Sequence, residues 1–212
     1  MSRPRPLCIV DYGAGNLRSV QKAFEHVGVD AVVGGDAQAI AGAPALVLPG
    51  VGAFGAAMER LERTGLREAL LARIREGVPF LGVCLGLQVL LEGSEEDPGV
   101  AGLGLVPGEV RALPETVKVP HIGWNQVDVS TDSDLFDGIV DGSAFYFVHG
   151  YAAVPKSPGD VLGVTDYDGV KFVSAIEKDN VAGVQFHPEK SSSLGLRFYQ
   201  NFARRAGLAG ER

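Results

Sequence analysis

"VPFLGVCLGLQVLL", residues 78–91, is the stretch on which the reading of the fold turns. Its first half is an apolar run without polar alternation, and beyond Cys84 the pattern changes from strand toward helix. Gly82 and Gly86 stand two positions from Cys84 on either side. Gly82-Val83-Cys84-Leu85-Gly86 is therefore the cysteine form of the G-x-S-x-G elbow, a strained turn that exposes a nucleophile and leaves no room for larger neighbours. The amides that open the new helix favour a thiolate at such a place, and the Leu85 amide is positioned as an oxyanion-hole donor. A small buried hydrophobe is the other reading of Cys84. With 29 glycines in 212 residues, the pentapeptide alone leaves both open.

Outward from this stretch, "PLCIVDY" (6–12), "ALVLP" (45–49) and "PFLGV" (79–83) also lack polar alternation. Strands covered on both faces read this way. Helical patterns lie between them at Asn16–Val27, Phe54–Arg63 and Leu66–Glu76, with Asn16 as N-cap and Gly28 and Gly77 at helix ends. Strand and helix in alternation at this spacing predict right-handed crossovers in a doubly wound α/β sheet. In the second half, "GLVPGEVRAL", "HIGWNQVDV", "AFYFVHGYAAV", "GDVLGVTDYDG", "KFVSAIEKD" and "VAGVQFHPE" are short, β-branched and aromatic. They predict antiparallel strands added to the parallel core, closed by a helix over Ser192–Ala206. Neither repeats nor a linker divides the chain, so one domain over 1–212 is expected.

Bulk properties narrow the function. A net charge of −7 without a basic cluster argues against nucleic acid and anionic membrane as partners. The apolar run at 78–91 is too short and too interrupted to span a bilayer, and the amino terminus lacks the apolar core of a signal peptide. Two cysteines without a targeting segment predict a reducing, cytoplasmic setting and no disulfide framework. Cys8, without glycine flanks, reads as core.

A thiol nucleophile needs a base. Of the four histidines, His26 lies near the end of an amphipathic helix and reads as exposed, while His121 and His149 are structural or line a site. His187 ends an apolar strand and is followed by Pro188 and Glu189. Proline stops the ladder there, and a carboxylate two residues on can fix the imidazole tautomer and free its other nitrogen for the thiol. A strand-end histidine with a chance acidic neighbour is the bland alternative. No Cys/His spacing suits a metal. "PGVGAFG" (49–55) contains G-x-G-x-x-G, but the next strand ends in Val83-Cys84 rather than an acidic residue, against a dinucleotide fold. As a loop facing Cys84 from the neighbouring strand, it supplies a second oxyanion donor near Val51.

With G-x-C-x-G, the PGVG loop and a late H-P-E in that order, the chain resembles the class I (triad) glutamine amidotransferases over nearly its whole length. The resemblance implies a flavodoxin-like doubly wound, mostly parallel sheet with added antiparallel strands. It implies Cys84 as nucleophile, His187 as general base and acid, and Glu189 as the residue that orients it, with no cofactor and no metal. The oxyanion amides would come from Val51 and Leu85, with Val51 turning its peptide inward. Glutamine, the implied substrate, would be held by Gly52, Gln88, Glu96 and the segment His149-Gly150-Tyr151. Members often carry serine where Gly150 stands, so only a backbone role carries over there. "DYGAGN" (11–16) and "GWN" (123–125) are similar to those of a member whose ammonia passes to a separate (β/α)8-barrel cyclase subunit in a heterodimer. In that case Asn16, Trp124, Asn125 and Lys190 would line the interface. Other triad amidotransferase subunits (for anthranilate, aminodeoxychorismate or pyridoxal phosphate), a free-standing cysteine hydrolase and a non-catalytic binder are the alternatives.

Overall fold

In a computed structural model, residues 5–208 are described. Five parallel strands form the core: β1 (Leu7–Val10), β2 (Ala31–Gly34), β3 (Leu46–Gly50), β4 (Phe80–Cys84) and β12 (Val181–Val184), in the order β2-β1-β3-β4-β12. All four residues of β1 are buried because alternate side chains enter two different cores. Leu7 and Ile9 pack with Phe24 of α1 (Leu17–His26) and Phe198 and Phe202 of α6 (Ser192–Arg205). Cys8 and Val10 pack with Phe54 and Leu61 of α3 (Phe54–Arg63) and Leu70 of α4 (Leu66–Arg75). Burial on both faces is why the strand reads as an unbroken apolar run.

The sheet continues through antiparallel strands β11 (Val170–Lys178), β10 (Val161–Tyr167), β7 (His121–Val129) and β8 (Ser143–His149). β6 (Gly108–Ala112) and β9 (Tyr151–Pro155) pair with each other beside this path, and β9 touches β11 at Ala153–Val173. A two-residue β5 (Gly93–Ser94) pairs β6. The mixed, mostly parallel core with antiparallel additions matches the expected class.

Several details differ from expectation. The segment 30–42 holds a strand and a helix, β2 and α2 (Ala37–Ala41), that the apolar pattern did not mark. β2 is a sheet edge with Val32 and Val33 exposed, so it lacks the signature of double burial. "AFYFVHGYAAV" is two strands, not one: the chain leaves the β7 pairing at Gly150 and enters that of β6. Asn16 does occupy the N-cap position of α1, but its side chain makes no capping bond. The helix after Cys84, α5 (Leu85–Gln88), is a single turn, so it supplies local amides rather than a long macrodipole. Cys8 is fully buried and His26 exposed, as read. Among the described residues, no helix is long and apolar enough to cross a membrane.

Candidate active site

Strands β3, β4 and β12 are neighbours that run in one direction, so their carboxyl ends share an edge. Gly50 is opposite Cys84, and Val184 is opposite Val83. The register therefore brings the 51–53 loop, Cys84 and the His187 segment together at the place where open α/β sheets bind ligands.

Cys84 has φ 56° and ψ −109°, a conformation a non-glycine residue holds only under constraint. The flanking glycines provide that constraint. A Cβ on Gly82 would lie 2.4 Å from the Gly86 carbonyl oxygen, and one on Gly86 would lie 1.8 Å from that of Leu48. Both positions need glycine because backbone meets backbone there. The elbow reading of Cys84 thus has a steric basis.

His187 Nδ1 lies 2.8 Å from Glu189 Oε1, with both side chains buried. Glu189 also accepts from the Tyr199 hydroxyl of α6 at 3.3 Å. The segment is pinned to β8: the His187 amide donates to the Tyr146 carbonyl, while the Ser191 hydroxyl accepts from the Tyr146 amide and donates to the His187 carbonyl. Burial disfavours a charged His187, but Cys84 and Glu189 outweigh it and raise its pKa to about 9. Its Nε2 is buried without a hydrogen-bond partner, and the Cys84 thiol instead points at the Val148 carbonyl, 3.9 Å away. Catalytic pairs of this kind commonly close only around substrate.

Cys84 and His187 line one cavity of about 290 Å³ with Val51, Gly52, Leu85, Gln88, Glu96 and the 148–151 segment. Every residue expected to bind substrate is on its wall. The volume suits an amino acid better than a dinucleotide. A wider depression of about 740 Å³, along 129–141 and lined by Asp132, Asp134, Asp137 and Asp141, holds neither thiol nor imidazole. Glu96 accepts from the Phe54 amide at 2.8 Å and Asp97 from the Gly55 amide at 2.7 Å. These two carboxylates cap α3, whose own N-cap, Ala53, cannot.

The floor of the cavity is a hydrogen-bond network organised by the Tyr151 carbonyl. It accepts from His149 Nδ1 and from Gln88 Nε2, each at 2.9 Å. With Nδ1 protonated, His149 Nε2 is the acceptor for His121 Nδ1 at 3.2 Å. Burial pushes His149 down to about 3 and His121 below its usual value, so both rings are neutral. Tyr199, Ser191 and Gln185 were not anticipated from the sequence. Gln185 alone carried a usable sign: it sits two residues before His187 in an extended run, the spacing that returns a side chain to the same face.

Of the residues expected at an interface, Asn16, Trp124 and Lys190 are exposed and Asn125 is half-buried. Trp124 is opposite Tyr146 in the β7–β8 register, its ring 6.1 Å away edge-on, and Lys190 Nζ lies 5.6 Å above the Tyr146 ring. Asn16 is exposed at the start of α1. Asn125 is not free: its Nδ2 donates to the Asp166 carbonyl, and its Oδ1 accepts from the Gln126 amide.

Residues 8–206 match the family model "Glutamine amidotransferase class-I". The chain is 56% identical over 196 residues to "Imidazole glycerol phosphate synthase subunit HisH" of Methanothermobacter thermautotrophicus, covering 92% of this chain and 96% of that protein. It is 51% identical over 209 residues to the protein of the same name from Moorella thermoacetica, covering 97% and 99%. Among solved structures, PurLQS from Thermotoga maritima aligns over 95% of this chain and 99% of its own, with a TM-score of 0.74 at 19% identity. A crystal structure of a glutamine amidotransferase aligns over 94% and 98%, with a TM-score of 0.72 at 20% identity. At such identities these two likenesses concern the fold alone.

Proposed function

The chain belongs to the class-I glutamine amidotransferases, and from that premise we propose that it is the glutaminase subunit of an imidazole glycerol phosphate synthase, acting in histidine biosynthesis. It hydrolyses the side-chain amide of glutamine as one catalytic domain and hands the ammonia to a (β/α)8-barrel cyclase subunit in a heterodimer. What carries the reading is the Glu189–His187 pair, held at 2.8 Å, with the unpartnered Nε2 of an imidazole that shares a cavity with Cys84.

In this reading the Cys84 thiolate attacks the amide carbonyl, and the Val51 and Leu85 amides hold the resulting oxyanion. His187 gives its proton to the departing ammonia, then takes one from the water that cleaves the γ-glutamyl thioester to glutamate. Glu189, backed by Tyr199, keeps Nδ1 protonated throughout. Both Nε2 protons of Gln88 are used inside the protein, on Tyr151 and Gln185. Its remaining oxygen can only accept, which suits the α-ammonium of glutamine, with Glu96 as the second acceptor. Ammonia released into water at neutral pH becomes ammonium and loses its nucleophilicity. Direct transfer to the partner prevents this. The partner covers the exposed Trp124 and Lys190, which flank the half-buried Tyr146, and the exposed Asn16.

The test is made on the assembled complex. Cys84→Ser is expected to lower glutamine-dependent synthesis by about four orders of magnitude or more and to leave ammonia-dependent synthesis unchanged. Equal survival of both activities would remove Cys84 from the mechanism.

A further inference from the structure

We propose that Gln185 is a catalytic residue of the glutaminase: its carboxamide N–H donates to the Cys84 sulfur and stabilises the thiolate. The inference rests on the functional reading above and extends it. Gln185 is fully buried, between β12 and His187, and its Nε2 lies 3.6 Å from Cys84 Sγ. A buried carboxamide is retained where both its ends are used.

The direction of that bond follows from elimination. Nitrogen and oxygen of a glutamine side chain are interchangeable by shape, so a network must decide between them. Here the network begins at a group that cannot be reversed. The Tyr151 carbonyl only accepts, so the end of Gln88 that meets it at 2.9 Å is the NH2. That same NH2 lies 3.1 Å from the near end of Gln185, which must then be the oxygen. The far end of Gln185, facing the sulfur, is the NH2. A backbone carbonyl on β9 thus sets the polarity of a chain of side chains ending at the nucleophile.

The need for such a donor is also visible. The helix opened by Cys84 is one turn long. His187 Nε2, close enough to Cys84 for the thiol to raise its pKa, is not aligned on the sulfur in a hydrogen bond of good geometry. A charge-assisted bond from Gln185 supplies part of the stabilisation a longer helix would otherwise give to the thiolate. It serves twice in the reaction, once when the thiol ionises and again when sulfur leaves the thioester.

The experiment compares wild type, Gln185→Met and Gln185→Glu as full-length chains, following alkylation of Cys84 by iodoacetamide across pH, with Cys8 counted separately by peptide mass. The glutamate variant keeps the shape and still accepts from Gln88, so it guards against misfolding of the methionine variant; thermal unfolding of each is recorded alongside. The other titratable groups around the sulfur (His187 with Glu189 behind it, Tyr12, and Glu96 across the cavity) are unchanged in all three proteins, and Gln185→Glu adds one carboxyl group of its own beside the sulfur. At about pH 7, alkylation should slow about tenfold in Gln185→Met and more in Gln185→Glu, with the rate–pH profile displaced by about one unit to higher pH, the scale of a lost hydrogen bond to a charged group. In the complex, kcat for glutamine should fall by a similar factor with KM within about twofold. Profiles that superimpose on the wild type, or slower alkylation without displacement, would overturn the donor role. Because alkylation does not require turnover, a wild-type complex without glutaminase activity would refute the functional reading and still leave the Gln185 proposal decided on its own result.

Discussion

The parallel strands and the antiparallel extension solve different problems with the same backbone. In the parallel half, every residue of β1, β3, β4 and β12 is buried, and position is enforced by contact between backbones. Gly86 is wedged against the Leu48 carbonyl, and the elbow at Cys84 is strained because its surroundings leave no other path. In the extension, β7 alternates, with Ile122 60% and Trp124 54% exposed. Gly123 between them has φ 140° and open space around a would-be Cβ. One half fixes reacting atoms; the other offers a surface and contributes the 148–151 segment to the cavity wall. Rigidity lies at the proposed site of chemistry, and accessible apolar area on the face proposed for assembly.

The largest effect that tests this contrast is on stability. Gly86→Ala should cost about 4 kcal/mol or more, because neither backbone can retreat from a 1.8 Å approach. Gly123→Ala has only its positive φ to pay for and should cost about 1–2 kcal/mol. Denaturant unfolding of the two variants measures the difference. Equal losses would dissolve the distinction between the halves.

An intermediate effect concerns assembly. Truncating an exposed tryptophan at the centre of a docking face typically costs about 2 kcal/mol of binding. On the proposed assembly, Trp124→Ala should therefore weaken association with the partner subunit by more than about tenfold and leave unfolding of the isolated chain within about 0.5 kcal/mol. Titration calorimetry against the partner, beside thermal melts, separates the two readouts. A variant that melts early but binds normally would give Trp124 a role in stability in place of one in docking.

How much of this could be read from the sequence divides along the same line. β1, β3 and β4 were legible because double burial erases alternation, and β7 because it is short, β-branched and aromatic. β2 escaped because an edge strand of four residues beside two glycines resembles a turn. The break at Gly150 escaped for a different reason: apolar residues continue through it, and only the change of pairing partner marks it. The Cys84, His187 and Glu189 pattern was readable from local spacing. The Tyr151–Gln88–Gln185–Cys84 network was not, since its bonds join residues 63, 97 and 101 positions apart. Hydrogen-bond polarity across such separations is a property of the folded arrangement, and residue type alone does not encode it.

The smallest effect is the one that assigns opposite signs to two histidines. His187 is raised from 6.5 to about 9, so its native form holds a proton that the unfolded chain releases. The stability it contributes is complete below about pH 6.5 and is lost as pH rises through about 9. His149 is lowered from 6.5 to about 3, so the unfolded chain binds the proton first. Its contribution is complete above about pH 6.5 and is lost as pH falls toward 3. The wild type should thus have a stability maximum near pH 6.5, with buried imidazoles shaping the flanks between about pH 5 and 9. The buried Cys8 thiol, raised to about 11, adds to the loss above about pH 9. Glu189→Gln removes one of the two partners that charge His187 and should flatten the alkaline flank alone. His149→Gln should flatten the acid flank, most visibly between about pH 5 and 6.5, before carboxylates titrate. His121, lowered in the same sense by burial, leaves a residual slope there. Thermal melts of the three proteins across pH measure both flanks. If either substitution flattened the opposite side, the charge states of the catalytic and the structural imidazole would have to be exchanged.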